Sequence, residues 1–275
     1  PIGHLLKAAA EEIPETVTAR LGFYAASVQL LAQRTAQMHR LLASDTGDGG
    51  FAPERFSKLY QRSLYQSMRA LTSRVWIQFA HAIPRLPEDL RPAAERIVVR
   101  QDDILALFRK MMETKLTGKR IRCHGDYHLG QVLFTGKDFV IIDFEGEPAR
   151  PVSERKIKRS ALRDVAGMLR SFHYAAHSAL MNEGAKGLFH EKERVYMQRW
   201  AEYWYRWVGA LFLKYYLAES AKGGYLPETA EQTRVLLDAF LMEKAVYELG
   251  YGMNNRPDWV GIPLQGIEQL LVTTK

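Results

Sequence analysis

At 275 residues, with 47% hydrophobic and 25% charged residues, the chain has the size and balance of an ordinary globular protein with one large core or two smaller ones. It lacks an apolar run of membrane-spanning length and a signal-peptide pattern, and its one cysteine, Cys123, excludes an internal disulfide framework, so a reducing cytoplasm is the expected compartment. The net charge of +7 and pI near 9.4 favour anionic ligands; because the aromatic residues follow no RNA-binding motif, phosphate chemistry is preferred to nucleic acid.

The first third reads as helix. Leu21, Tyr24, Val28, Leu31, Thr35, Met38 and Leu42 step by three or four, which predicts one helix over 18–43. The polar, glycine-rich stretch 44–50 is an exposed loop and matches neither nucleotide fingerprint. A second helix is expected with Pro53 in its first turn and Leu64, Met68, Leu71, Val75 and Phe79 inward, ending at Pro84 and Pro87. A third is expected over 93–116, with Ile97, Ile104, Leu107, Phe108, Met111 and Met112 inward and Gly118 as its cap.

Residues 121–148 read differently. Gln131 to Phe134 is an apolar run of strand length, Thr135-Gly136-Lys137-Asp138 supplies a turn, and Phe139 to Ile142 is rich in β-branched residues, which together predict a hairpin. Folding it returns Gln131 beside Asp143, with the loop holding Asp126 immediately upstream. Two carboxylates and an amide oxygen at one end of a hairpin suit a hydroxyl attacking a phosphoryl group held by magnesium: one carboxylate takes the proton, the other groups hold the cation. Cys123, in the apolar lead-in, reads as a buried structural thiol.

Beyond the hairpin, Arg150 to Arg159 is strongly basic and reads first as a solvated charge run. Ser160 caps a helix carrying Leu162, Val165, Met168, Leu169 and Phe172. Residues 188–222 form an aromatic-heavy helix, whose rings could stack on sugars but at helical spacing are mostly packing. The last long helix, about 227–250, has Leu237, Phe240 and Leu241 facing the core; the same steps reach Lys244, Tyr247, Glu248 and Tyr251. Charges on an inward face must pair or line a wet cleft. Either Lys244 and Glu248 pair at i,i+4, or they bond sugar hydroxyls while the tyrosines stack on the ring.

His124-Gly125-Asp126 followed by Gln131 resembles the catalytic loop of aminoglycoside-phosphotransferase-type kinases, distant relatives of protein kinases, and Asp143-Phe144-Glu145 stands where those relatives carry a metal-binding Asp-Phe-Gly. The longer spellings HGDYHLGQVL, IIDFEGEP and LRDVAGMLRSF, over roughly residues 120–176, resemble the maltokinase group, with a weaker match near 244–264. Gln131 in place of Asn and Glu145 in place of Gly depart from the general kinase pattern but are normal for that group. The resemblance implies ATP as phosphoryl donor, Mg2+ held by Gln131 and Asp143, and Asp126 as base. It further implies His124 and Glu145 as supporting residues, and maltose phosphorylated at its anomeric hydroxyl against Lys244, Tyr247, Glu248 and Tyr251. Asp164 is expected to brace the catalytic loop, and the basic run to follow the mouth of the site.

The expected fold is therefore mainly α with a small β-hairpin: the helical C-terminal lobe of a protein-kinase-like fold, helical over 1–120, catalytic over 121–148 and acceptor-binding over 149–275. Nothing upstream of Ile121 reads as the β-sheet of an N-terminal lobe, and residue 1 is Pro rather than Met, so the chain is expected to be a piece that is inactive alone. The parent is either a free maltokinase or a fusion behind trehalose synthase. A non-catalytic, structural or sugar-holding appendage of trehalose synthase is the competing reading. An amino-sugar or choline-like acceptor is a third, and it would want a more acidic pocket.

Overall fold

The computed structural model describes residues 3–44, 47, 49–148, 150–185 and 190–274. In chain order, α1 (Leu5–Ala10), α2 (Glu15–Leu21) and α3 (Phe23–Leu42) lead to β1 (Glu54–Arg55) and α4 (Lys58–Ala82). Next come α5 (Arg91–Val98), α6 (Gln101–Glu113), β2 (Lys119–Arg120), β3 (Val132–Phe134) and β4 (Phe139–Ile141). Helices α7 (Val152–Arg155), α8 (Leu162–Ala185), α9 (Glu191–Ser220), α10 (Ala230–Asn255) and α11 (Gly261–Thr273) complete it. The predicted class, helical with one small hairpin, is observed. β1 and β2 add a second antiparallel ladder that two polar residues do not announce.

Two compact units each combine two separate stretches: Pro1–Arg55 with Thr117–Glu228, and Phe56–Leu116 with Thr229–Lys275. The stretches of the two units alternate along the chain. In the first, α1, α3 and α8 pack on α9. The α8 residues Leu162, Val165, Met168, Leu169 and Phe172 are fully buried, as their spacing requires. The helix expected over 18–43 is interrupted at Gly22, whose φ of +57° is a left-handed turn that a side chain would resist. The β3–β4 hairpin pairs Val132 with Ile141 and Phe134 with Phe139, and Gly136 turns it at φ +87°. Its tip is fastened to α3: Arg34 grips Asp138 through two bonds of 2.7 and 2.8 Å, which hold the Asp138 carboxyl below its usual range.

In the second unit α10 is the central helix, packed by α4, α6 and α11. The helix expected near Pro53 starts at Lys58, with Ser57 capping the Tyr60 N–H at 3.1 Å. The helix expected over 93–116 is two, α5 and α6. Trp76 Nε1 donates to the Val98 carbonyl at 2.7 Å where the first ends, and the inward stripe keeps its phase across the break. Gly118 does not cap α6, which ends at Glu113. Its place is set in the first unit, where a Cβ would lie 3.1 Å from the Pro227 nitrogen and 3.2 Å from the Tyr225 carbonyl.

Two members of the basic run hold backbone. Buried Lys158 donates to the carbonyls of Gly49 and Ala52, both at 2.6 Å, and lies 3.1 Å from Glu54; Arg155 donates to the Arg150 carbonyl. Residues 45, 46 and 48 of the predicted glycine-rich loop, and 188–189 of the predicted aromatic helix, lie outside the described residues. The aromatics of α9 serve mainly as packing. Tyr205, Phe212 and Tyr216 are buried, while Trp200 and Trp204 join Tyr24 and several alanines around an apolar cavity of about 470 Å3. Among the described residues no helix is long and apolar enough to cross a membrane.

On α8, His173 and His177 are buried with ring centroids 4.4 Å apart. Burial, with help from the buried Arg170 charge, pushes His177 down to about 4. Unfolding restores an ordinary histidine, so the unfolded chain binds the proton first, and stability should fall as pH drops from about 6.5 to about 4. A His177→Phe variant should show a shallower loss over that window, by up to about 3 kcal/mol, in denaturant titrations at pH 7 and pH 4.5.

Candidate active site

The candidate catalytic and metal-holding residues lie in the first unit, where the stretch 121–146 is pinned from several sides. Ile121 exchanges both backbone bonds with Arg159, at 2.8 and 2.9 Å, and packs with Ala161 and Tyr225. Cys123 directs its thiol at the carbonyls of Ile121, Arg159 and Ser160, and burial raises it well above its ordinary range, so it is the structural thiol expected.

Next comes the loop itself. Asp164, buried on α8, accepts the His124 N–H at 2.8 Å on one oxygen and the Gly125 N–H at 3.0 Å on the other. His39 Nε2 lies 3.0 Å from the first oxygen. Burial alone would raise the Asp164 pKa; the bond and charge of His39, the Gly125 N–H and His124 outweigh it, and the carboxyl is held below its usual value. The brace anticipated for Asp164 is what its contacts make. α8 comes so close that a Cβ on Gly167 would stand 2.6 Å from the Tyr127 carbonyl oxygen. Downstream, the Tyr127 hydroxyl meets Thr35 at 2.7 Å, and Leu129 N–H donates to Ser171 at 3.0 Å.

His124 joins this loop to the hairpin. Its Nδ1 faces the Asp126 N–H at 3.4 Å and its Nε2 faces the Ile142 carbonyl at 2.8 Å, so the ring accepts on the first nitrogen and donates from the second. Gly125 (φ +91°) and Gly146 (φ +78°) meet backbone to backbone: a Cβ on Gly125 would lie 3.2 Å from the Gly146 Cα. Gln131 sits in a 3-10 turn, Leu129–Gln131, rather than in the strand, and its Nε2 donates to Asp143 Oδ2 at 2.8 Å. His128 accepts the Gly130 N–H on Nδ1 and turns Nε2 to within 3.7 Å of Asp126, whose side chain is 17% exposed.

Asp143 has φ +64°, the one positive value at a non-glycine residue among the described residues. Backbone in this region costs about 1–3 kcal/mol and gathers at functional sites. Its effect is to turn the chain at Phe144 and Glu145, so the extended segment that would have put Glu145 beside Asp143 does not form. Glu145 is instead largely exposed, 3.8 Å from Arg155, and the Phe144 ring packs tilted against the His124 ring, centroids 4.9 Å apart.

The family model of the phosphotransferase enzyme family, APH, matches residues 8–147. The chain belongs to that family. It is similar to the glucosamine kinase of Streptacidiphilus jiangxiensis, 37% identical over 54 residues, and to that of Mycolicibacterium smegmatis, 45% over 53 residues. These matches span 20% and 19% of this chain, and 12% and 13% of the relatives. Among solved structures, glucosamine kinase in complex with glucosamine, ADP and inorganic phosphate superposes with a TM-score of 0.73 at 18% identity, covering 98% of this chain and 60% of that one. Its crystal form A gives 0.71, also at 18% identity, over 98% and 59%. At that identity the likeness is one of fold, and the chain spans about three fifths of those proteins.

The sequence-predicted residues fall in both units. Asp126, Gln131, Asp143, His124 and Glu145 are in the first. Lys244, Tyr247, Glu248 and Tyr251 lie on α10 in the second, where the first three are half-buried and Tyr251 is exposed, so they are more open than a core-facing stripe. α10 buries 235–243, 245, 246, 249 and 250, and these four form its partly open stripe, with Lys244 Nζ 5.1 Å from the Tyr247 ring centroid. The reason is that α10 is apolar on nearly every face, so a stripe extended from Leu237 does not single out one inward side. Sequence reasoning named Thr35 only as a member of the α3 stripe and passed over His39 and Arg34. Two polar residues at i,i+4 on the apolar face of α3 were the available signal.

Gly167→Ala should force the loop off α8 and cost about 1–3 kcal/mol in thermal or denaturant unfolding. Asp164→Asn should lower stability by about 3 kcal/mol at neutral pH. Because the folded carboxyl is held low, that advantage exists above about pH 4 and disappears on further acidification, so the two melting curves should converge there.

Proposed function

We propose that the chain carries the proton-accepting and metal-holding half of a sugar kinase site that moves the γ-phosphoryl group of ATP to a sugar hydroxyl. The observation that carries this reading is the joining of two loops at the end of the hairpin. Gly125 meets Gly146, His124 bonds Ile142, and Gln131 bonds Asp143, so the Asp126 loop and the Asp143 turn share one edge.

The Asp143 carboxylate and the Gln131 amide oxygen are hard oxygen donors that suit magnesium, which takes few protein ligands and fills its shell with phosphate and water. Among the described residues no group of three or more His, Cys, Asp or Glu forms a closed cage, and none is needed for such an ion. Bound there, the ion would neutralise charge on the phosphates. Asp126 orients the acceptor hydroxyl and takes its proton as the sugar oxygen bonds to the γ-phosphorus and the bond to the bridging oxygen breaks, releasing ADP. Most of the rate comes from positioning, which is why the loop is braced from α8, α3 and the hairpin.

As acceptor we favour maltose at its anomeric hydroxyl, giving maltose 1-phosphate. The support is the maltokinase-like spelling of 120–176 and the mixed Lys244, Tyr247, Glu248 and Tyr251 stripe, which suits hydroxyls and a sugar ring more than a cationic amine. Glucosamine is the second reading, favoured by the named relatives. The nucleotide's remaining contacts would come from a lobe outside this chain, in line with its covering 60% of a solved relative.

The test is an ADP-coupled assay of the full-length protein with ATP, magnesium and either sugar. Maltose should turn over faster, and Asp126→Asn should lower kcat by about 1,000-fold while nucleotide affinity stays within about threefold. Near-normal turnover in that variant removes Asp126 from the base role. Faster glucosamine turnover changes the acceptor, and sugar binding without turnover leaves the non-catalytic trehalose synthase appendage.

A further inference from the structure

His39 belongs to no predicted motif, yet its side chain is fully buried, at 0% exposure, among polar atoms. Its two ring nitrogens are both engaged: Nε2 with Asp164 at 3.0 Å, Nδ1 with the Tyr216 hydroxyl at 2.9 Å. The Tyr216 and Tyr225 rings close on it at steep angles, with centroids 5.7 and 6.2 Å away. Tyr225 continues the chain of bonds to Ser220 at 2.9 Å.

The chemistry fixes the direction of these bonds. Asp164 is anionic and already accepts two backbone N–H groups, so Nε2 must be the donor to it. When the ring is neutral, Nδ1 is an acceptor and the Tyr216 O–H donates to it. With its burial raising it well above the ordinary range, Tyr216 keeps that proton. The ring is held in one tautomer from one side so that it can donate from the other.

We propose that His39 is a positioning residue of the phosphotransfer site: its Nε2–H, in a tautomer selected by Tyr216, holds Asp164 so that both carboxylate oxygens clamp the His124 and Gly125 N–H groups and thereby set where the Asp126 carboxylate stands. This rests on the phosphotransfer reading for its catalytic consequence. The clamp itself does not.

Two amide substitutions separate the nitrogens. Gln reaches the Nε2 position and keeps a donor to Asp164; Asn reaches only the Nδ1 position and loses it. Amide hydrogen exchange on this chain should therefore show the His124 and Gly125 amides protected in wild type and in His39→Gln, and exchanging about 10- to 100-fold faster in His39→Asn, with the α9 core amides unchanged. Tyr216→Phe should loosen the same two amides by about two- to tenfold by removing the proton that selects the tautomer. Equal protection in all variants, or equal loss in Gln and Asn, overturns the proposal. In the full-length protein, His39→Asn should lower kcat by about tenfold or more at unchanged nucleotide KM, with His39→Gln restoring most of it. If the amides respond as expected and the wild-type protein transfers no phosphate, the clamp stands and the kinase reading falls; if turnover is normal in His39→Asn, the positioning role falls.

Discussion

A carboxylate sealed inside a protein survives only if hydrogen-bond donors replace the water it has lost. In this molecule that constraint is Asp164. Two of its three donors are consecutive backbone N–H groups of the loop preceding Asp126, and the third is His39. The dependence is mutual: α8 can bury the charge only if the loop is in place, and the loop keeps its left-handed Gly125 only while both amides are held. From that anchor the loop reaches the hairpin through His124, and the hairpin is tied in turn to α3 by Arg34 and Asp138. One buried charge thus organises three elements far apart in sequence.

What the sequence disclosed follows the range over which each signal acts. The hairpin was legible because β-branched strands and a Thr-Gly-Lys-Asp turn are local signals, and Gln131 and Asp143 do meet at its end. The helices were legible as stripes, but their breaks were not. Gly22 and the Val98 carbonyl interrupt the backbone without disturbing the spacing of Val28, Ile97 or Ile104. Glu145 stands away from Asp143 because the left-handed Asp143 turns the chain immediately before it, which no local sequence signal announces. The α10 stripe was harder to orient, because a helix apolar almost all round has no single inward face to extrapolate. His39 could be noticed as a polar residue on an apolar face, but its partner, 125 positions away, was out of reach.

Charge proved a poor guide to surface function. A net charge of +7 and a dense run of Arg and Lys invite a phosphate-docking face. Lys158 and Arg155 instead donate to carbonyls and pair with Glu54 and Glu145. A cation surrounded by backbone oxygens has its field locally cancelled, and it acts as a rivet between loop and chain. The composition implied an anionic ligand, whereas the groups best arranged for a phosphoryl reaction are two carboxylates and an amide.

The interleaving of the two units has a consequence for biogenesis. His39 and Asp164 belong to the same unit but are made on either side of Phe56–Leu116, and that intervening stretch must itself await Thr229–Lys275. α4 and α6 cover one another in part, but until α10 emerges the faces they turn to it lack their cover. A nascent chain of this design carries incompletely covered apolar helices until its last stretch is made, the kind of surface that chaperones shield during synthesis.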